Sequence, residues 1–138
     1  MQIVAPVDVE DALRLEVDAA TTNVTCCASP APDALAAMTV CVTRLGGIPQ
    51  GPVAHEHDVS VDCWAATPKA AMELADEVVG IVSSLPMRTS ASGVAWTTAE
   101  TNLPYPNPDP YRPLLPRATF RATVGARGVP VSFTNPSS

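Results

Sequence analysis

The sequence predicts an α+β fold, a mostly antiparallel four-stranded sheet with two helices packed on one face. Three observations lead to it. Two segments repeat apolar residues at the helical period, and four others alternate apolar with polar residues. The strands are joined by tight links, with a single long crossover. A chain of 138 residues fits one domain, expected over 1–127, followed by a flexible tail over 128–138.

The first helix is expected at about residues 8–21. Asp8 can cap it, and the acidic Asp8, Glu10 and Asp11 suit the positive end of its dipole. Val9, Leu13 and Val17 mark its apolar face, while Arg14 and Asp18 are spaced to pair on another. Residues 24–37 are weakly patterned, and Pro30 and Pro32 exclude a continuous helix or a central strand there. Met38, Val40 and Val42 then alternate with Thr39, Cys41 and Thr43, which describes a half-buried strand stopping at Gly46-Gly47. The segment from Gly46 to Pro52 reads as a loop.

In the second strand Val59, Val61, Cys63 and Ala65 share one face, and Asp58, Ser60, Asp62 and Trp64 the other. An indole among acids and a serine either packs across strands or faces a partner, where Trp is enriched. Thr67-Pro68 opens the best helix, with Thr as N-cap and Pro at the first helical position. Ala71, Leu74, Val78, Ile81, Val82 and Leu85 form its buried stripe, Glu73, Asp76 and Glu77 its outer face, and Pro86 ends it. Gly80 in its interior suggests a close approach between helix and sheet. The third and fourth strands are expected at Gly93–Thr98 and Arg117–Ala126, the latter alternating Phe120, Ala122 and Val124 with Thr119, Arg121 and Thr123.

Between these two strands lies a proline-rich segment, 103–116, with six of the chain's 15 prolines. Alternate prolines forbid a helix and hold the backbone extended. The segment is expected to be a fixed arm presenting Tyr105, Tyr111 and Arg112 outward, and a stiff arm loses little entropy when it docks.

Composition narrows the function. The net charge is −6, from 8 Lys+Arg against 14 Asp+Glu, so binding nucleic acid by phosphate neutralisation is disfavoured. No run approaches the roughly 18 apolar residues of a membrane span. No signal-peptide pattern is visible at Met1 onward, so Cys26, Cys27, Cys41 and Cys63 read as reduced thiols. Hydrophobic residues reach 46% but aromatic ones only 4%, a thin core that contacts with further copies would complete.

Candidate chemistry is sparse. His55 and His57 face the same side of a strand, with Cys63 further along that face at close to 20 Å. Two imidazoles fall short of the three or four ligands a zinc site needs. Ser60 lacks a nucleophile elbow, Asp58 and Asp62 lack a cause for a raised pKa, and Gly46-Gly47 lacks the sequel of a phosphate loop. No catalytic residue, metal or cofactor is therefore expected, and the chain reads as a non-enzyme.

The order of these segments resembles the tail terminator, or tail completion, proteins of long flexible-tailed bacteriophages, over about residues 8–127. The resemblance is carried by the strand from Thr39 to Gly47, the strand from Val59 to Ala66, the helix from Thr67 to Val79 that follows directly, and the proline arm leading into the strand from Pro116 to Val124. It implies a virion protein, assembled in the host cytoplasm, that forms a ring of typically six subunits on the head-proximal end of the tail tube. Such a ring stops tube polymerisation and joins the tube protein to the head-completion or neck protein, while DNA passes through its lumen unbound. Subunit contacts are expected first at Tyr105, Tyr111 and Arg112, then at Trp64 and Arg121, with Arg121 able to pair with Asp58 or Asp62. Two rivals remain: another head–tail connector of the same neck, and a small metal-dependent enzyme built on His55 and His57.

Overall fold

The computed structural model describes residues 2–132. In chain order the elements are β1 (Gln2–Ala5), α1 (Val9–Ala20), β2 (Thr25–Ala28), β3 (Thr39–Pro49), β4 (Ala54–Trp64), α2 (Pro68–Ser83), a 3-10 turn (Leu85–Met87), β5 (Trp96–Thr101), β6 (Tyr105–Pro106), β7 (Arg117–Arg127) and β8 (Val129–Ser132). The main sheet runs β2-β3-β4-β7-β5, with β6 also on β7. A separate two-stranded ribbon joins β1 to β8.

The α+β class holds, but the four-stranded antiparallel sheet does not: the main sheet has six strands and is mixed. β2 pairs with β3 in parallel, Cys26 opposite Val40 and Cys27 opposite Cys41, while the other pairs are antiparallel. β2 has only four residues, and prolines at 30 and 32 leave it no alternating pattern to read. Such a strand is viable only at an edge, which is where it lies.

The segment at 46–52 is also not simply a loop. β3 and β4 remain paired out to Pro49 and His55, through a bulge between Arg44 and Gly46. Gly47 there has φ +151°, and a Cβ would overlap the Glu56 carbonyl oxygen. Glycine permits the strands to close up beyond the bulge. Gly47→Ala should therefore lose roughly 2 kcal/mol in urea titration, an overpacking cost against rigid backbone.

Both helices begin as their sequences dictate. Asp8 accepts from the Asp11 N–H at 3.2 Å, and Thr67 Oγ1 from the Ala70 N–H at 3.1 Å. Arg14 pairs with Asp11 at 2.7 Å rather than with Asp18. Gly80 is exposed with open space around its Cα, so no helix–sheet approach requires it. Gly80→Ala should accordingly stabilise the chain by up to about 1 kcal/mol, read as a higher urea midpoint.

One apolar core lies between the helices and the sheet. It joins Leu13 and Val17 of α1, Leu74, Val78 and Val82 of α2, and Val40, Val42, Val59, Val61, Phe120 and Val124 of the sheet. Among the described residues, no helix covers the opposite face of the sheet.

A buried carboxylate fixes the chain between α2 and β5. Glu16 of α1 is only 5% exposed. It accepts from the Ala91 N–H (2.9 Å), the Ser92 N–H (3.1 Å), the Ser92 hydroxyl (2.6 Å), the Ser90 hydroxyl (3.2 Å) and the Trp96 indole (2.9 Å). Burial alone would favour the neutral acid, but the bonds from Ser92, Trp96 and Ala91 outweigh it and hold the carboxyl below its ordinary value.

Within the segment expected as a tail, Val129–Ser132 pair as a strand. Gln2 faces Ser132 and Ala5 faces Val129, because β8 finds a partner strand at the other end of the chain that no local pattern announces. Residues 133–138 of that expected tail lie outside the described residues.

Candidate interaction site: the proline arm and the open sheet face

The arm is built on Asp109, which follows Pro108 and precedes Pro110. Its carboxylate accepts from the Tyr111 N–H at 2.9 Å, forming the Asx turn that Asp favours before a tight bend. Main-chain bonds from Arg112 N–H to Asp109 O and from Leu115 N–H to Arg112 O, both 3.1 Å, close two successive turns. Asp109 Oδ2 also receives Arg112 Nη1 at 2.9 Å and the Trp64 indole N–H at 3.3 Å. Arg117 stands 3.8 Å away. Burial works against ionisation here too, yet the Tyr111 N–H, Arg112, Arg117 and Trp64 together hold the carboxyl below the usual range.

Trp64 is thereby accounted for. It ends β4 on the helix-free face, opposite Thr39 and Arg117, and is 2% exposed. The guanidinium carbons of Arg112 and Arg117 lie 5.6 and 5.8 Å from its ring centroid. Its contact surface is covered by its own arm, so it anchors that arm and is not open to a partner. Arg112 is likewise engaged: its Nη2 donates to the Pro32 carbonyl at 2.6 Å, tying the arm to the segment after β2.

The expected outward residues divide accordingly. Tyr111 is 90% exposed and Leu114, not singled out by the sequence, 96%. Tyr105 lies in β6, its backbone paired with Thr119, and its side chain is exposed. Arg121 is exposed opposite Ser60 and makes no ion pair among the described residues. Its expected partners are taken by hydroxyls: Thr123 donates to Asp58 at 2.7 Å and Thr119 to Asp62 at 2.6 Å. Sequence reading missed Asp109 and Arg117. The Asp-Pro-Tyr bend was a turn signal, but nothing local tied it to an indole 45 residues earlier.

The helix-free face is polar along its length, with Thr43, Ser60, Asp62, Thr119, Arg121, Thr123, Asp58 and Glu100 in neighbouring register. At the far end of β4, His55 and His57 lie 6.3 Å apart between ring centroids. His55 Nδ1 and His57 Nε2 are buried and unpartnered. Burial, then the neighbouring His55 and Arg44, hold His57 toward its neutral form. Cys63 is six positions further along the strand, and no group of three or more His, Cys, Asp or Glu is placed to hold a metal among the described residues. Beside the two imidazoles, Ile48 and Pro49 line an apolar cleft of about 360 Å³. No helix among the described residues is long and apolar enough to cross a membrane. Neither models of known families nor curated proteins match the chain.

Proposed function

We propose that the chain is a structural, non-enzymatic virion protein of the tail terminator kind. Its copies close into a ring, six by the resemblance, on the head-proximal end of a phage tail tube. The ring stops tube growth and offers a surface to the neck protein. The observation that carries this reading is that the segments bearing the sequence resemblance form one contiguous body. β3, β4 and β7 are neighbours in the sheet, α2 packs behind β4 and β7, and the arm folds over Trp64 in front.

The arm adds support. Asp109 and both terminal nitrogens of Arg112 are engaged within the chain, while Tyr111 and Leu114 are held outward on a turn already fixed. Apolar groups that are ordered before contact dock at low entropic cost. A ring needs one patch to meet a different patch on the next copy, closing after a fixed rotation. Tyr105, Tyr111, Leu114 and Arg121 are the contact residues of this reading, with Trp64 and Arg112 as the struts beneath. Six copies would bring a formal charge of about −36, from −6 each. A wall of that sign lets a polyanion slide where a basic wall would hold it.

The test is native mass spectrometry of the protein alone and electron microscopy of it mixed with purified tail tubes. A ring at one tube end, with tube growth arrested, is expected. Tyr111→Ala with Leu114→Ala should leave the fold unchanged within about 0.5 kcal/mol, as both are exposed, and prevent closure. Attachment to the portal instead of tube ends favours the connector reading. A wild-type chain that closes no ring in solution or on tubes overturns the proposal.

A further inference from the structure

We infer that Cys27 and Cys41 form a disulfide-forming pair, a modification site for small dialkyl disulfides such as glutathione disulfide. The inference rests on register and stands apart from the proposed function. Cys27 and Cys41 are direct partners in the parallel β2–β3 ladder, on neighbouring strands about 4.8 Å apart. That separation falls within the roughly 4.4–6.8 Å that a disulfide spans between Cα atoms.

Every other pairing of the four cysteines is blocked by the sheet. Cys26 and Cys27 are consecutive in a strand and point to opposite faces. Cys63 faces the helix-side core with Cys26, but Val40 stands between them in the register. Cys41 is opposite Asp62, which puts it on the face away from Cys63. Only Cys27 and Cys41 share both a face and a ladder position. In the structure all four are free thiols, with Cys27 half-buried and Cys41 buried.

Their environments assign the order of steps. Burial, and then the adjoining Cys27 thiol, push the Cys41 thiol up strongly, so Cys41 is a poor first nucleophile. Cys27, at the sheet edge, is the accessible one. Its thiolate attacks one sulfur of glutathione disulfide and expels one glutathione thiolate. Cys41 then loses its proton and attacks the Cys27 sulfur, expelling the second glutathione. Two protein S–H bonds are lost and one protein S–S bond forms, while the two electrons and two protons pass to the reagent, whose S–S bond is reduced to two thiols. The bridge closes the chain from β2 to β3, the loop whose Pro32 carbonyl holds Arg112. Oxidation would therefore lock the support of the arm. Under the proposed function, release of the particle from the reducing cytoplasm supplies the oxidising environment, though the bridge itself does not depend on that reading.

The experiment treats the reduced protein with glutathione disulfide, alkylates the remaining thiols and measures intact mass. Digestion by an Asp-specific protease separates the two cysteines at Asp33. The expected result is a loss of two hydrogens, a linked pair of peptides bearing Cys27 and Cys41, and alkylated Cys26 and Cys63. The oxidised form should unfold several degrees higher than the reduced form. Cys27→Ser, half-buried and conservative, should keep the fold and lose the linkage. Four alkylated thiols, a lasting glutathione adduct on Cys27, or linkage through Cys26 or Cys63 would each overturn the inference.

Discussion

Glu16→Ala should be strongly destabilising, lowering stability by about 3 kcal/mol and the melting midpoint by about 10 °C. The glutamate is 5% exposed and serves five donors, two of them backbone N–H groups. Removing it takes the shared acceptor from all five donors and leaves the buried Trp96 indole N–H without a partner, which costs more than the loss of one ordinary hydrogen bond. Glu16→Gln keeps an oxygen acceptor but replaces one carboxylate oxygen by an amide donor facing groups that donate to it, so its loss should be smaller yet still measurable. Calorimetry of the three proteins at neutral pH ranks them. A midpoint unchanged in Glu16→Ala would show that the loop over 88–95 is held by something else.

Asp109→Ala should be nearly as costly, about 2–3 kcal/mol, but local in its effect. It removes the carboxylate that meets the Trp64 indole, the Tyr111 N–H and the Arg112 and Arg117 guanidinium groups, and leaves two cations beside the ring without that counter-ion. The arm should then detach while the core persists. Chymotrypsin should cleave after Tyr111 in the variant and spare the parent under the same conditions. Under the proposed function the variant would also fail to close rings, even with Tyr111 and Leu114 intact, because the knob would have lost its base.

The same two carboxylates contribute to the acid sensitivity of the fold. Both titrate lower in the folded chain than in the unfolded one. Their stabilisation is therefore fully present above the unfolded values, near pH 4, and is lost as pH falls through the folded values. Urea midpoints measured from pH 7 to pH 2.5 should hold nearly flat to about pH 5 and then drop. Glu16→Gln should flatten part of that drop.

What was legible in the sequence depended on periodicity. The helix after Thr67 carries a capping threonine, a first-turn proline and a full apolar stripe, and it begins and ends close to where those signals put it. β7 alternates cleanly and is found as expected. β2 was hidden because four residues between a turn and two prolines show no alternation, and its parallel partner is fixed only by the tertiary fold. The two carboxylate hubs were hidden for a different reason. Glu16 sits in a helix where its neighbours alone would make it a surface acid, and its partners lie more than 70 residues further on. Tyr111 and Arg112 were both singled out, but only the structure separates the exposed ring from the half-buried strut beneath it.

The β1–β8 ribbon has a consequence for synthesis. Residues 2–5 pair with residues 129–132, so β1 is made more than 120 residues before its partner strand. At about 5–20 residues per second, ribosomal synthesis leaves β1 waiting on the order of ten seconds. During that time its backbone donors and acceptors have no ladder, and every nascent copy on a polysome carries the same unmatched strand. The chain is thus most prone to cross-pairing with its siblings while still being translated, and it sheds that liability only when β8 emerges.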